Sequence, residues 1–457
     1  MRGFARSLPL ALLWIAGCSD GMLSALEPDV IRLPTGALLG PESRYLLVAN
    51  SNLDGEHLTG SLVAVDLEAL EDGLAEPGPP GAETTAERPC RVSLLAPAEL
   101  ECDERYLIDD ERTLRLPSGA TNIAADLPAG ASGPLRLMIP SSVDRTVTWI
   151  DVLPDAAGLR VDCGQDGDGR CDEVHTLRTV GNSPQGAALP IDPARLFVDE
   201  QGFRFAYLPH LLGGSMTLIA LDGGAGPEIV DVQTEFFLED ALTETGHAGG
   251  FAVAQRVCDP ENPPERDEEC ARPALYATQR HWPGVRQFSV AIGLDVLLPE
   301  QNVTLAGANP YTVADRPYMG DLEFEDPQTG ERMLVVHTTP PALSRVDTRI
   351  VDGVPLNETR DTVALCHYPN QLEVFRPEGR EWLAFVSCYS EGEVAVVGLN
   401  TFTVIATARV GDGANELVVD VARERLYVVN TLSSDIAVLE LDNLAPRYLE
   451  VIARVGL

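Results

Sequence analysis

The chain has 457 residues, with 33 Lys+Arg against 70 Asp+Glu and a formal charge of -37, and every one of its cations is an arginine. The absence of lysine excludes phosphate-loop nucleotide sites that place a lysine on the β/γ-phosphates, Schiff-base and pyridoxal enzymes, and Ser-Lys hydrolases. The negative charge argues against a nucleic-acid partner, because neutralising phosphates requires a basic face.

At the start of the chain, Arg2 and Arg6 precede an apolar run from Leu8 to Ala16. That run has the length of a secretory leader and is too short to span a bilayer. It ends Ile15-Ala16-Gly17-Cys18, which resembles the bacterial lipoprotein cleavage box. The resemblance implies that residues 1–17 are removed and that Cys18 becomes a palmitate-bearing first residue. With Ser19 rather than Asp next to it, the expected address is the outer membrane, periplasmic or surface-exposed, held by acyl chains. An ordinary leader cut at small residues, with Cys18 incidental, is the alternative. Residues 18–27 read as a tether, and residues 28–457 as one domain.

Setting Cys18 aside leaves eight cysteines as near neighbours: Cys90 with Cys102, Cys163 with Cys171, Cys258 with Cys270, and Cys366 with Cys388. In an exported chain, four local disulfides are the simplest pairing. No CxxC or CxxCH occurs, which argues against dithiol redox chemistry and c-type haem attachment.

Along the remaining chain a short apolar strand recurs. Its copies end at Asn50, Pro140, His210, Gln279, His337, Ser387 and Asn430. A turn recurs before each copy, at Gly36, Gly119, Gly181-Asn182-Ser183-Pro184, Gly246, Gly307-Ala308-Asn309-Pro310, Tyr368-Pro369-Asn370 and Gly411. Two landmarks therefore agree on seven units. At about 63 residues per unit, against about 40–45 in compact repeats of four strands, insertions must take up the excess. The largest covers residues 68–110, where Glu76-Pro77-Gly78-Pro79-Pro80-Gly81 predicts irregular chain pinned by Cys90 and Cys102. Either the strand around Asp29-Val30-Ile31 or that at Val451-Ile452-Ala453 is a candidate to close the ring.

In the last unit, Val404 to Asn415 followed by Leu426-Tyr427-Val428-Val429-Asn430-Thr431 resembles the YVTN-family β-propeller repeat. Its strands are expected at Leu417–Val421 (A), Leu426–Asn430 (B), Ile436–Leu441 (C) and Tyr448–Val455 (D). The implied fold is all-β, a seven-bladed β-propeller of four-stranded antiparallel blades, WD40-like in outline, with disulfide-pinned loop insertions. B-to-C and D-to-A connections then share one face, while A-to-B and C-to-D connections share the other. The Cys366–Cys388 pair is expected on the first face, and the other three pairs in insertions on the second.

His57, His210, His281, His337, His247 and His367 all fall on the first face, and only His175 lies elsewhere. Imidazole binds transition metals and serves as a general base, so His210, His247 and His337 form a candidate metal site. Loops attract polar residues in any protein, which is the plainer explanation. The segment from Asp162 to Glu173 resembles DxDG calcium loops, with Asp162, Asp166, Asp168 and Asp172 as candidate Ca²⁺ ligands. It departs from the EF-hand pattern at Gly164 and His175.

No GxSxG, HExxH, kinase or dinucleotide pattern occurs. The leading reading is a cell-envelope lipoprotein whose propeller is a binding or scaffold module for a protein or small-molecule ligand, with the membrane reached through the lipid. The alternative is a metal- or cofactor-dependent enzyme of the lactonase or quinoprotein type, with its site on the B-to-C/D-to-A face.

Overall fold

Each of the seven sequence units folds as an antiparallel sheet of four principal strands, and the sheets are arranged as the blades of a propeller. The computed structural model describes residues 29–57, 59–126, 134–155, 158–165, 167–178, 188–223, 226–237, 248–256, 272–305, 318–326 and 329–456. The innermost A strands are Pro34–Leu39, Ala124–Asp126, Phe197–Val198, Gly250–Arg256, Tyr318–Phe324, Pro369–Phe375 and Ala414–Asp420. The seventh blade continues with B (Arg425–Asn430), C (Asp435–Glu440) and D (Val451–Val455), each close to its expected span.

The apolar runs are continuous because both faces of a blade are buried. Alternate residues of one B strand serve different neighbours. Leu46 and Val48 pack toward the seventh blade, while Leu47 and Ala49 pack toward the second. Among the described residues, the buried apolar side chains form seven clusters, one at each seam between adjacent blades. At about 25 cal/mol per Å² of apolar surface buried, these seams are the main source of stability.

The ring closes without exchange of strands. The first blade is built from Pro34–Leu39, Tyr45–Asn50, Gly60–Asp66 and Leu114–Leu116, and the seventh from its own four C-terminal strands. Residues 29–31 form no strand. Ile31 instead packs with Tyr427 and Val429 at the seam. Across it the Thr431 hydroxyl donates to the Pro34 carbonyl at 2.6 Å, and Leu33 N–H donates to Ser434 Oγ at 3.1 Å.

The 68–110 insertion corrects the expectation of irregular chain. A helix over Leu67–Ala75 starts at Asp66, whose carboxylate accepts from the N–H groups of Glu68 and Ala69. Such N-capping satisfies donors that the first turn leaves free. Cys90–Val92 and Leu100–Cys102 then form a hairpin in which Cys90 and Cys102 lie directly opposite and are joined by a disulfide. Leu100–Cys102 adds in parallel to the outer edge of Val451–Val455, so this first-blade insertion extends the seventh blade to six strands. The Pro/Gly stretch is confined to the link between helix and hairpin.

Cys366–Cys388 joins the D-to-A crossing to the end of the sixth blade's B strand, as expected. Cys163–Cys171 is also formed, but its loop interrupts the second blade's outer strand. Gly158–Asp162 and Thr176–Leu177 pair with two stretches of the same C strand on either side of it. Cys258 and Cys270 lie outside the described residues, as does Cys18.

Candidate functional site in the central channel

Pairing with the B strands puts the seven A strands in a common register. Ala37, Val253, Leu322, Leu372 and Leu417 lie opposite Val48, Ala277, Val335, Val386 and Val428. The pairs Ala124–Met138 and Phe197–Tyr207 place Ile123 and Leu196 at the same level. In the first, fourth, fifth, sixth and seventh blades a register irregularity occurs just before this level, and such bulges re-aim side chains.

One residue before this level, the blades in order carry Gly36, Asn122, Arg195, Ala252, Asp321, Gln371 and Glu416. One residue after it they carry Leu38, Ala124, Phe197, Ala254, Glu323, Glu373 and Val418. Gly36 is required by space, since a Cβ there would lie 2.7 Å from Asn122 Cα. Most of these residues line a central cavity of about 940 Å³ that extends to Asp199, Glu200 and Gln201 at the third blade's A-to-B turn.

Arg195 reaches from the third blade to the seventh and holds Glu416 through two bonds, Nη1–Oε2 at 2.7 Å and Nη2–Oε1 at 2.9 Å. Its Nε lies 4.0 Å from Asp321 Oδ2. Burial disfavours the Arg195 charge, but Glu416 and Asp321 outweigh it and hold the guanidinium above its ordinary range. Asp321 accepts from the N–H groups of Leu322 (2.9 Å) and Leu372 (3.4 Å).

The carboxyl groups divide by environment. Burial, opposed by Arg195 and reinforced by Glu416, pushes Asp321 up to about 6. Burial, with Glu416 and Asp321 close by, pushes Glu373 up to about 8. Glu323 is driven well above the glutamate range by burial and by Glu373, and its enclosed Oε2 has no hydrogen-bond partner. Carboxylates sharing a poorly solvated site cannot all ionise. Near neutral pH the channel therefore holds a bound guanidinium–carboxylate pair, an ionised aspartate, and carboxyl groups that retain protons. Such an arrangement can donate hydrogen bonds, accept a cation in exchange for protons, or pass a proton to a bound molecule.

The histidines expected at a metal site are placed differently. His210 is fully buried. Its Nδ1 meets the Ile191 carbonyl at 3.0 Å and its Nε2 meets Thr217 Oγ1 at 2.9 Å. At the matching positions, Asn50 and Asn430 donate to the carbonyls of Val30 and Val410, each at 3.0 Å. His210 thus does the work of these asparagines, tying the D-to-A crossing to the blade. His337 is buried in the fifth blade with Nε2 unpartnered. Burial pulls both imidazoles down to about 4. His247 lies outside the described residues. Among the described residues, no group of three or more His, Cys, Asp or Glu is placed to hold a metal ion.

The remaining first-face histidines lie apart from the channel wall. His57 exchanges backbone bonds with the Asn52 side chain, His281 packs edge-on to Tyr318 at 4.5 Å, and the His367 N–H donates to Glu391. In the calcium-like loop, Asp162 accepts from Gly164 N–H, Asp168 accepts from Arg170 N–H, and Asp172 contacts His175 Nδ1 at 2.7 Å. Asp166 lies outside the described residues.

The channel carboxylates were missed in the sequence, although a signal is present. An acid flanks a leucine in three successive A strands, as Asp321-Leu322-Glu323, Leu372-Glu373 and Glu416-Leu417.

No protein-family model matches the chain, and no curated protein matches it. Solved structures do. A provisionally named 6-phosphogluconolactonase from Bacteroides fragilis is 13% identical with a TM-score of 0.52, covering 91% of this chain and 98% of that one. The periplasmic gluconolactonase of Pseudomonas aeruginosa is 13% identical with a TM-score of 0.50, covering 84% and 87%. Dihydro-heme d1 dehydrogenase is 14% identical with a TM-score of 0.45, and the match covers 83% of this chain but 66% of that one. At these identities the likeness concerns the fold.

Proposed function

We propose that the protein is a lipid-anchored component of the cell envelope whose propeller binds a small cationic or hydroxyl-bearing molecule in its central channel. The observation that carries this reading is the convergence of Arg195, Asp321, Glu323, Glu373 and Glu416 on one cavity. Proton-bearing carboxyl groups donate to hydroxyls, and a bound ammonium would replace their protons. The leader ending at Cys18, the YVTN-like repeat and the disulfides support the address. Ser19 beside Cys18 favours delivery to the outer membrane.

Calorimetry with spermidine and with glucitol tests the channel. Spermidine binding should release protons and tighten from pH 6 to pH 8, and Glu373→Gln should weaken that pH dependence. If neither probe binds, the reading fails. Labelling with radioactive palmitate tests the anchor, which requires that Cys18→Ala abolish incorporation.

A lactonase activity is the second reading. It is favoured by Glu373, which both holds and releases a proton near neutrality close to Arg195. The lactonase names among proteins of like fold make gluconolactone the first substrate to try. The reading requires that the purified protein hydrolyse gluconolactone and that Glu373→Gln slow it; absence of hydrolysis would remove the reading, and hydrolysis unaffected by Glu373→Gln would remove Glu373 from it.

A further inference from the structure

The connection between the fourth blade's B and C strands, Ala274–Gln279 and Gly284–Ala291, carries an arginine in an unusual setting. The Arg280 guanidinium lies 4.4 Å from the Phe251 ring centroid and 5.1 Å from that of Tyr318. Its Nε is sealed from solvent without a hydrogen-bond partner, and no ion pair is made to it among the described residues. Two other enclosed arginines in this acid-rich chain are matched, although Arg286 on the neighbouring strand also has an enclosed Nε without a hydrogen-bond partner. Arg195 holds Glu416, and Arg345 holds Glu325 at 2.9 Å and Asp361 at 3.1 Å. Two residues beyond Arg280, Trp282 Nε1 is also enclosed and unpartnered.

We infer that Arg280, seated between Phe251 and Tyr318, is a binding site for a small oxyanion, a carboxylate or phosphate group. Aromatic faces hold a guanidinium in place by cation–π attraction but leave its N–H fork unspent. That fork matches the paired oxygens of a carboxylate or phosphate. Burial lowers the Arg280 pKa only to about 10, so the cation persists at neutral pH. The site lies beside the channel wall, since Arg195 N–H donates to the Phe251 carbonyl at 3.1 Å. It does not depend on the acid cluster, and it takes the opposite charge.

Titration of the purified protein with inorganic phosphate, and separately with acetate, at constant ionic strength tests the inference. At least one should bind, and Arg280→Gln should weaken it by on the order of tenfold or more, while substitution of an exposed arginine away from the channel, Arg376→Gln, leaves it unchanged. Phosphate alone or acetate alone would name the preferred group. Phenylglyoxal labelling of the unsubstituted protein, read by mass spectrometry, gives an independent measure that holds even if Arg280→Gln does not fold: the bound anion should protect Arg280. The inference is overturned if neither anion binds, if Arg280→Gln binds as the parent does, if Arg376→Gln weakens binding as much as Arg280→Gln does, or if Arg280 is not protected.

Discussion

The two sides of the channel wall share one backbone plan and differ in chemistry. The fifth, sixth and seventh blades present Asp321, Glu323, Glu373 and Glu416, whereas the same register positions in the first four carry Gly36, Leu38, Asn122, Ala124, Arg195, Phe197, Ala252 and Ala254. The propeller repeat therefore fixes where a side chain sits and leaves its identity free. At these two levels the wall is therefore polarised, with acids facing an arginine, while Asp199 and Glu200 add charge beyond them at the third blade's A-to-B turn. Arg195–Glu416 is the strut that joins the two sides.

Breaking that strut should have the largest effect. Arg195→Met strands Glu416, and Glu416→Gln leaves Arg195 short of its main partner. Removing one member of a buried pair typically costs about 3–5 kcal/mol, because the other charge stays buried. Urea unfolding should show this loss for Arg195→Met. The double variant Arg195→Met/Glu416→Leu should recover much of it, since the unpaired charge is then gone. A loss below about 1 kcal/mol for Arg195→Met would mean that water already solvates the pair and that the two sides are independent.

The second test moves one side against the other. Glu416 belongs to the blade that meets the first blade at the ring seam, and the Cys90–Cys102 hairpin covers that blade's outer edge. Cys90→Ser/Cys102→Ser should cost about 2–3 kcal/mol by freeing a short loop in the unfolded chain. Hydrogen exchange should then rise in Val451–Val455 before it rises in the A strands of the second to fifth blades. A uniform rise would show that the hairpin stabilises the whole ring and does not act as a local latch.

The sequence made the ring legible but left the channel hidden, for physical reasons. B strands are buried on both faces, so Leu46-Leu47-Val48 and Leu426-Tyr427-Val428 repeat as unbroken apolar runs that survive drift elsewhere. A strands turn one face to the cavity, where selection for packing is relaxed, and the third blade's A strand shrinks to Phe197–Val198. Arg195 and Glu416 stand 221 residues apart, and no local pattern joins them. At His210 the histidine signal has a structural source. His210 stands where Asn50 and Asn430 stand because an imidazole N–H can make the same bond to a crossing carbonyl. In the 68–110 insertion, Pro77 to Gly81 outweighed the capped helix signal of Asp66 followed by Leu67, Leu70 and Leu74.

The smallest expected effect separates the two sides by pH. Glu373 at about 8 and Asp321 at about 6 hold protons that the unfolded chain releases near the ordinary values of 4.5 and 3.8. Their contribution to stability is complete below those values and is lost as pH rises through the folded ones. His210 and His337, pulled from 6.5 down to about 4, act in the other sense: the unfolded chain takes up protons that the folded chain refuses, so stability falls as pH drops from 6.5 toward 4. Melting temperature should therefore peak between these limbs. Glu373→Gln removes a group whose unfavourable titration runs from about pH 4.5 to pH 8, so it should raise the melting temperature by a few °C at pH 8 and change it much less at pH 5. His337→Leu should flatten the acid limb alone. A Glu373→Gln curve parallel to that of the parent from pH 5 to pH 8 would mean that Glu373 is already ionised in the folded protein, and the acidic wall would then carry its full charge toward Arg195.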